Sequence, residues 1–559
     1  MMMRLILLCA MLSVTLADKV GDNLPKIEPL IQFHYIATAA VILFTIVLGL
    51  LTTGALLPNR LKRNFVFDLL FHRRILPTSN NKLLRFIGYN QVAEMTVGEI
   101  YIVLTYLALC FTWFTYGYLR AERFGKSNPT GRGFAWMALF NISFVVLPAT
   151  RYSIWFRIFG SSFERAIKYH KMIGAWNLIT VLTHGIIFLR GGIIKGTLRF
   201  FIIWKTDYNN SISILPGIIA VILFVAGSLV SIEFIRRRFW KFFLVSHIIL
   251  NTTAIIMVVF HAIWWQVIPF LAITATLYLI DIILRMTIGV VIPTTIVSAQ
   301  YNEEAQVTKL VVNKLAFSYD PGQYVFLYIA KVGMISAQPF TVAEHQPDSR
   351  NSQDNATFYI KNMGGRSWTN HLATLARNIE KGFVQPHEVF VRMEGPYGKV
   401  SLPYEEYDTV VLVAGGIGIT PIYSLYNSLL LQNRANGEKQ KHVHLIWINK
   451  DSNIWSLFPN AFKYENVDGH SDSSVHLYIT GKEEATPANN ATVHHGRPDF
   501  NQVLKDVVVD RQMRLNDGTP YISVLSCGPE SMLNELEAAC WKQSNNLAKF
   551  HFHKEIFEL

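Results

Sequence analysis

The chain is poor in cysteine, and the spacing of its few cysteines suggests neither a shared bond nor a metal site. It has four in 559 residues, namely Cys9, Cys110, Cys527 and Cys540. Cys9 lies in an apolar leader and Cys110 in an apolar segment, so their spacing suggests neither a disulfide framework nor a zinc site. The sequence also has no EF-hand loop, which argues against direct calcium control of that kind.

Acidic residues are outnumbered by basic ones, 39 against 51, which gives a formal net charge of +12. Much of the positive charge lies at the ends of apolar segments, where it orients a membrane protein and can contact anionic lipid. We therefore predict a lipid membrane as a partner and no nucleic acid. The hydrophobic share of 51% fits a chain with both membrane and soluble parts.

The first residues and the apolar runs predict a multi-pass membrane protein. Residues 1–17 have one Arg, an apolar run and a small residue at the end, which is typical of a signal peptide; a short anchor helix is the alternative. Residues 18–33 form a short extracytosolic segment in this interpretation. Seven runs are long enough to span a bilayer, near 34–57, 97–119, 132–150, 168–190, 212–233, 243–264 and 267–287.

Basic joins between the predicted spans set their orientation. The joins after the first, third and fifth spans are rich in Arg and Lys, so they predict a cytosolic side. The basic join after the second span opposes this topology, but the other three basic joins support it. The sequon at Asn209 then lies outside, and the chain after the seventh span lies in the cytosol.

Four histidines lie inside two of these spans, at the same spacing in each. His170 and His184 are fourteen residues apart in the fourth span, and His247 and His261 are fourteen apart in the sixth. In a helix, fourteen residues rise about 21 Å and end about 40° short of the same face. Each helix therefore carries two imidazoles on one stripe, one near each side of a bilayer.

The common direction of the fourth and sixth spans predicts two facing pairs, His170 with His247 inside and His184 with His261 outside. A buried imidazole in a bilayer is costly and needs a partner. Each pair suits the axial ligation of one haem iron. Ordinary buried histidines are the alternative at any single position, but the repeated spacing favours haem. Zinc is disfavoured, because histidines on one helix are too far apart to share a tetrahedral site.

From about residue 290 the pattern changes to short strands. Five segments alternate or are rich in β-branched and aromatic residues, TIVSAQY, AQVTKLVV, QYVFLYI, ATFYIKN and EVFVRMEG, and they predict a small antiparallel barrel of about six strands. Next, DTVVLVAGGIGITPIYSLYNSLLLQ predicts a buried strand, a glycine turn and a helix whose N-terminus favours a pyrophosphate. Further buried strands with helices between them predict an α/β nucleotide domain with a parallel sheet.

These motifs together resemble the ferric reductase and NADPH oxidase family. The stretches FERAIKYHKMIG and RRRFWKFFLVSH are similar to fungal ferric reductase segments that carry haem ligands. The cytosolic stretches PGQYVFLYI, QPFT, KNMGGRSWT, EGPYG, VAGGIGITP, HHGRPDF and LSCGPESM are similar to a ferredoxin–NADP reductase-like unit. The resemblance covers roughly residues 95–559 and implies FAD, two b-type haems and NADPH.

The resemblance also implies a role for each matched residue. Gln338, Pro339, Phe340 and Thr341 are expected to bind the flavin ring and ribityl chain, although the family more often has His or Arg at the first position. The flavin pyrophosphate falls to Gly364, Gly365 and Ser367. The dinucleotide phosphates fall to Gly415, Gly416, Gly418, Thr420 and Pro421. Cys527, Gly528 and Pro529 are expected to lie beside the nicotinamide where hydride is transferred. Glu555 and Phe557 are expected to close over the flavin.

The sequence indicates the nucleotide preference and the electron acceptor less specifically. Arg497, or as a second candidate Lys450, predicts NADPH rather than NADH by meeting the 2′-phosphate. The resemblance favours reduction of ferric and cupric chelates outside the cytosol, at the plasma membrane or an endomembrane. An NADPH oxidase that makes superoxide is the alternative, and the short segment 18–33, where many fungal metalloreductases have a long ectodomain, supports it. A non-enzymatic haem-transport protein is disfavoured by the nucleotide motifs.

The predicted architecture is a multi-domain chain. An all-α membrane bundle of about seven helices at 34–288 precedes an antiparallel β-barrel FAD domain at 289–405 and an α/β NADPH domain at 406–559.

Overall fold

The computed structural model describes most of the chain after residue 94 and divides it into two compact units, one ending at Ile283 and one beginning at Leu284. The predicted signal peptide, the segment at 18–33, the first span at 34–57 and the sequon at Asn209 lie outside the described residues. These residues are 95, 97–151, 163–197, 213–262, 264–286, 293–313, 319–333, 337–344, 355–398, 400, 402, 404–436, 441–458, 473–481, 491–514, 521–544 and 548–555.

The first unit is helical, as the apolar runs predict. The second to seventh predicted spans are helices, and the first lies outside the described residues. Five of them are long and apolar enough to cross a membrane, and a sixth is shorter, which fits an integral multi-pass membrane protein. The helices of this unit are α1 Val97–Arg123, α2 Pro129–Val145, α3 Phe163–Ile194, α4 Ile214–Leu229, α5 Glu233–Arg238, α6 Trp240–His261 and α7 Trp264–Leu284.

Glycines let α1 and α2 pack closely. A Cβ on Gly117 would lie 2.5 Å from the Trp136 ring, and one on Gly133 would lie 2.8 Å from the Phe114 ring. Helices in a membrane gain little from hydrophobic exclusion, so close backbone approach and dispersion stabilise their contact. The aromatic rings therefore occupy the space that side chains at these two glycines would take.

A buried amide joins three helices of the bundle. Asn141 of α2 accepts hydrogen bonds from the Tyr106 hydroxyl at 2.6 Å and the Cys110 thiol at 3.1 Å, both on α1. Its amide group donates to the Thr180 hydroxyl on α3 at 3.2 Å. An unsatisfied polar group is costly at membrane depth, so these bonds favour one arrangement of α1, α2 and α3.

The second unit begins with six antiparallel strands, which confirms the predicted flavin-type sheet. Their order across the sheet is β4, β3, β6, β1, β2, β5, and α8, Trp368–Glu380, packs its Leu372 and Ala376 into the core between them. The strands are β1 Thr294–Asn302, β2 Val307–Asn313, β3 Tyr324–Ile329, β4 Gln338–Thr341, β5 Asn355–Lys361 and β6 Phe390–Tyr397.

The predicted antiparallel barrel is not closed over the described residues, although its six-stranded sheet is present. Over the described residues, β4 and β5 form the two ends of the sheet and have no ladder between them. One backbone hydrogen bond, from Ala343 N–H to the Thr357 carbonyl at 2.9 Å, links the segment after β4 to β5. The four residues of β4 form their ladder with β3.

The remaining strands form the predicted parallel sheet, in the order β10, β9, β8, β7, β11, β12. Every residue of β7 is buried, as expected of a strand covered on both faces. Helix α9, Ile419–Asn436, packs on one face; α10, Phe500–Arg514, and α11, Glu530–Gln543, pack on the other. The strands are β7 Thr409–Gly415, β8 His442–Asn449, β9 Ser473–Ile479, β10 Thr492–His495, β11 Tyr521–Cys527 and β12 Lys549–Glu555.

Candidate functional site

The four predicted histidines lie in two facing pairs between α3 and α6. The ring centroids of His170 and His247 are 6.0 Å apart, with 75° between the ring planes. Those of His184 and His261 are 6.1 Å apart, with 73° between the planes. The two pairs therefore have nearly the same geometry, about 21 Å apart along the helices by the rise of fourteen residues.

Three of these rings are held by backbone carbonyls through Nδ1. The acceptor is Val145 for His170 at 2.6 Å, Gly131 for His184 at 2.8 Å and Ser213 for His261 at 2.6 Å. A carbonyl oxygen can only accept, so Nδ1 carries the proton and donates it. In a neutral ring Nε2 then has a free lone pair, which is the form in which imidazole binds a metal.

His247 is held by side chains in addition to the backbone. Its Nδ1 lies 2.8 Å from the Ser231 hydroxyl, 3.2 Å from the Gly227 carbonyl and 3.3 Å from the Asn251 amide nitrogen. The sequence interpretation did not identify Ser231 or Asn251. Asn251 was detectable, because an amide four residues after His247 lies on the same face of an otherwise apolar helix.

The ring spacing fits a haem iron between each pair. Two imidazoles bound on opposite sides of one metal, with bonds of about 2.1 Å and about 1.1 Å from nitrogen to ring centre, have centroids roughly 6.4 Å apart. The observed 6.0 Å and 6.1 Å are close to this value. The donor set, two neutral nitrogens per pair, is also that of a b-type haem.

A glycine on α4 fits against the outer pair. A Cβ on Gly217 would lie 2.5 Å from Nδ1 of His261, so only glycine leaves room for this ring position. On the same helix, a Cβ on Gly227 would lie 2.5 Å from the Asn251 amide that contacts His247. Both contacts are consequences of tertiary packing, and the sequence interpretation missed both glycines.

The predicted flavin ring residues form strand β4 at the end of the antiparallel sheet. Gln338, Pro339 and Phe340 are partly exposed, whereas Thr341 is buried. The Phe340 ring packs on Trp368, the first residue of α8, with centroids 5.4 Å apart. The strand therefore offers a partly open edge next to the start of a helix.

The predicted pyrophosphate residues form the loop that leads into α8. Gly364 and Gly365 have positive φ angles of 70° and 56°, a conformation that glycine adopts at little cost. Ser367 caps α8, since its hydroxyl accepts the Asn370 N–H at 3.1 Å. Asn362 also holds the loop, because its side-chain oxygen accepts the Gly364 N–H at 2.9 Å. A phosphate at this position would meet a helix N-terminus.

The predicted nucleotide residues meet where the strand order reverses. The chain runs outward from β7 to β10, then returns to β11 beside β7, and ligands of open α/β sheets bind at such a point. A Cβ on Gly418 would lie 2.5 Å from the Cys527 carbonyl, and one on Gly415 would lie 2.5 Å from Pro529. Gly528 also approaches Gly415 closely. Gly416 has φ 56°, and the buried Thr420 and Pro421 begin α9.

The two cations proposed for the 2′-phosphate lie at the same edge of the sheet. Lys450 follows β8 and Arg497 follows β10, and both are exposed. Because the strands are parallel, their carboxyl ends share the edge that carries the glycine turn. Glu555 ends β12 opposite Cys527, whereas the predicted Phe557 lies outside the described residues.

Family models match three successive parts of the chain. They are "Ferric reductase like transmembrane component" at residues 134–260, "FAD-binding domain" at 291–401 and "Ferric reductase NAD binding domain" at 407–492 and 483–541. The first range contains three of the four paired histidines and ends one residue before His261. The FAD-binding and NAD-binding domains are therefore present in this chain.

Curated relatives include both ferric reduction oxidases and NADPH oxidases. Ferric reduction oxidase 7 of Arabidopsis thaliana is 26% identical and matches 64% of this chain and 48% of its own length. NADPH oxidase 1 of Mus musculus is 25% identical and matches 45% of this chain and 44% of its own length. The chain thus spans about half the length of these relatives.

Among solved structures, a ferredoxin NADP+ reductase from Neisseria gonorrhoeae aligns with 47% of this chain and 98% of its own, at 13% identity and a TM-score of 0.33.

Proposed function

Because the chain belongs to the ferric reductase and NADPH oxidase family, we propose that it transfers electrons across a membrane from cytosolic NADPH to an acceptor outside the cytosol. FAD and two b-type haems are the proposed carriers. The proposed parts are the bundle at 34–288, the FAD domain at 289–405 and the NADPH domain at 406–559. The plasma membrane is the proposed location, with an endomembrane as the alternative.

The observation that carries this proposal is the double histidine pair. Two pairs of nearly equal geometry lie on the same two apolar helices, and each ring has its Nδ1 engaged. At His170, His184 and His261 the carbonyl partner fixes the tautomer, so Nε2 is available to a metal. At His247 the Gly227 carbonyl at 3.2 Å can hold the same tautomer. A purely structural histidine needs one partner and gains nothing from a second imidazole opposite it.

The cytosolic residues would hold the reactants in line. The edge strand Gln338–Thr341 would take the flavin ring, and the capped loop at Gly364–Ser367 would take its pyrophosphate. Gly415, Gly418 and Gly528 would shape the dinucleotide site, because side chains there would push the glycine turn away from the segment after β11. When bound, the flavin would accept a hydride, and the haem irons would each carry one electron at a time.

Cys527 would act by position rather than as a nucleophile. It is buried at the end of β11, level with Ala414 of β7, where the nicotinamide would lie. The sequence around it has no histidine or other base motif of the kind that activates a cysteine nucleophile. Phe557 remains the proposed cover of the flavin face.

The proposed acceptor is a ferric or cupric chelate. Ferric reduction oxidases of Arabidopsis match 61–66% of this chain, and respiratory burst and NADPH oxidases match 43–82%, so coverage does not separate the two groups. The stretches around His170 and His247, which resemble fungal ferric reductase segments, support the reductase. Superoxide production is the second candidate, since the same histidine pairs and nucleotide residues would serve it and oxidases are among the relatives.

One experiment tests both candidates. Membranes that contain the protein receive NADPH, and ferrous iron from a ferric chelate is followed under nitrogen while superoxide is followed in air without iron. A reductase gives two ferrous ions per NADPH without oxygen, because NADPH supplies two electrons. Superoxide in air with no anaerobic iron reduction would establish the oxidase. No haem in the dithionite-reduced spectrum would refute the histidine assignment.

The NADPH preference has a separate test. We expect Arg497→Ala to raise KM for NADPH with little change in KM for NADH, because only NADPH carries the 2′-phosphate. Lys450→Ala is the matched variant at the next candidate cation. Equal effects of Arg497→Ala on both nucleotides would contradict its proposed role.

A further inference from the structure

Three side chains of types that commonly bind metal ions lie close together on the parallel sheet, away from the glycine turn. Nε2 of His442 lies 2.9 Å from Oδ2 of Asp510, and Nε2 of His444 lies 3.7 Å from the same oxygen. One ligand atom from each of the three lies within 4.8 Å of the others. The two imidazole centroids are 4.2 Å apart. Two nitrogens and one carboxylate oxygen thus share one small volume.

The local sequence explains the arrangement. His442 and His444 are alternate residues of β8, so they project from the same face of the sheet. That face also carries Ile446, which packs against Leu504 of α10, the helix that presents Asp510. Strand alternation therefore supplies the two histidines, and helix packing supplies the carboxylate.

The site has an oriented ligand and a route to solvent. Nδ1 of His444 lies 2.8 Å from the Ser474 hydroxyl on β9, which directs its Nε2 toward Asp510. Such outer hydrogen bonds hold histidine ligands in metal sites. The histidines are only 9% and 5% exposed, whereas the Asp510 side chain is 35% exposed, so an ion can enter beside the carboxylate.

We propose that His442, His444 and Asp510 bind a divalent transition-metal ion, of which Zn²⁺ is the best match. Two imidazole nitrogens and one carboxylate oxygen form a three-ligand set that zinc accepts, with water in the fourth position. Tetrahedral bonds of about 2.1 Å hold ligand atoms roughly 3.4 Å apart. The two observed separations, 2.9 Å and 3.7 Å, lie on either side of this value.

The site is distant from the proposed hydride transfer. His442 pairs with Thr409 at the start of β7, and Ile448 pairs with Gly415 at its end. Six residues of strand separate the two positions, about 20 Å along the sheet. A metal ion here would therefore clamp α10 to β8 and would not contact the nicotinamide.

The competing interpretation is an ion pair of protonated His442 with Asp510, which needs no metal. It accounts for the 2.9 Å contact. It does not explain why Nε2 of His444 faces the same oxygen while Ser474 holds Nδ1 of that ring. Zinc binding separates the two interpretations directly.

The test uses full-length protein in detergent, treated with a chelator and then dialysed against Zn²⁺ at several concentrations. Bound zinc is measured per chain by elemental mass spectrometry. We expect the wild type to bind one more zinc ion per chain than His444→Gln and than Asp510→Asn, in which the amide keeps the shape of the carboxylate. Ser474→Ala weakens binding by about 10- to 100-fold.

The matched control is His495→Gln, which removes an exposed histidine of β10, two strands away from β8, and should bind zinc as the wild type does. Flavin content reports folding in every variant. If Asp510→Asn loses its flavin, His444→Gln decides the result. Equal zinc binding by the wild type and the folded variants, or no zinc bound at all, would overturn the proposal.

Discussion

The position of His261 in the outer histidine pair depends on Gly217, so a substitution at this glycine tests the haem assignment. A methyl group at Gly217 would lie 2.5 Å from Nδ1 of His261, whereas ordinary contacts begin at 3.4 Å. The Gly217→Ala change therefore requires the imidazole to withdraw by about 1 Å, the difference between these two distances. The ring cannot do this freely, because its Nδ1–H donates to the Ser213 carbonyl at 2.6 Å.

The expected cost follows from these two contacts. Overpacking of this kind costs about 1–3 kcal/mol, and a weakened hydrogen bond adds about 1 kcal/mol. At about 1.4 kcal/mol per factor of ten, a total of about 2–4 kcal/mol lowers the affinity of this histidine pair for haem roughly 30- to 700-fold. We expect Gly217→Ala to lose the outer haem and to keep the inner one.

The assay is the ratio of haem to flavin after purification, measured by the pyridine haemochrome spectrum and by released FAD. The ratio should fall from two toward one. Gly185→Ala is the matched control on α3, because a Cβ there meets Val221 at an ordinary 3.9 Å, and it should keep both haems. Two haems per flavin in Gly217→Ala, with an unchanged redox titration, would refute the role assigned to His261.

Three further predictions concern the cytosolic unit. Gly418→Ala should lower kcat/KM for NADPH at least about tenfold with flavin retained, because its Cβ would lie 2.5 Å from the Cys527 backbone carbonyl; steady-state kinetics check this, and unchanged kinetics would contradict the close approach. Ser367→Ala should cost about 1 kcal/mol through the lost helix cap and lower FAD occupancy, measured as flavin per chain, whereas Ser367→Asp should preserve the cap. Hydrogen bonding by Arg377 lowers the pKa of the Glu303 carboxyl below its ordinary 4.5, so its small contribution to stability is present above that pH and is lost as the pH falls through the lowered pKa. Glu303→Gln should then lower Tm slightly at pH 7, and this decrease should shrink as the pH falls below 4.5; a decrease that stays constant with pH would contradict the ion pair.

The sequence alone determined the parts of this protein that depend on local patterns. Apolar length predicted six helices that the structure describes, because a bilayer demands continuous apolar runs. Alternating and β-branched segments predicted both sheets, and the glycine turn in VAGGIGITP predicted the start of α9. The fourteen-residue spacing also identified His170, His184, His247 and His261, because helical periodicity turns spacing into position.

Tertiary structure decided what depends on contacts between distant segments. It provided the carbonyls that orient three histidines, and it placed Ser231 and Asn251 beside His247. The close fit of Gly217 against His261 joins residues 44 positions apart in the sequence, and no local pattern reports such a distance. The order of the strands, with β4 and β5 at the two ends of the sheet over the described residues, was likewise a tertiary outcome. The cluster of His442, His444 and Asp510 arose the same way, since only the packing of α10 on β8 brings the carboxylate to the two imidazoles.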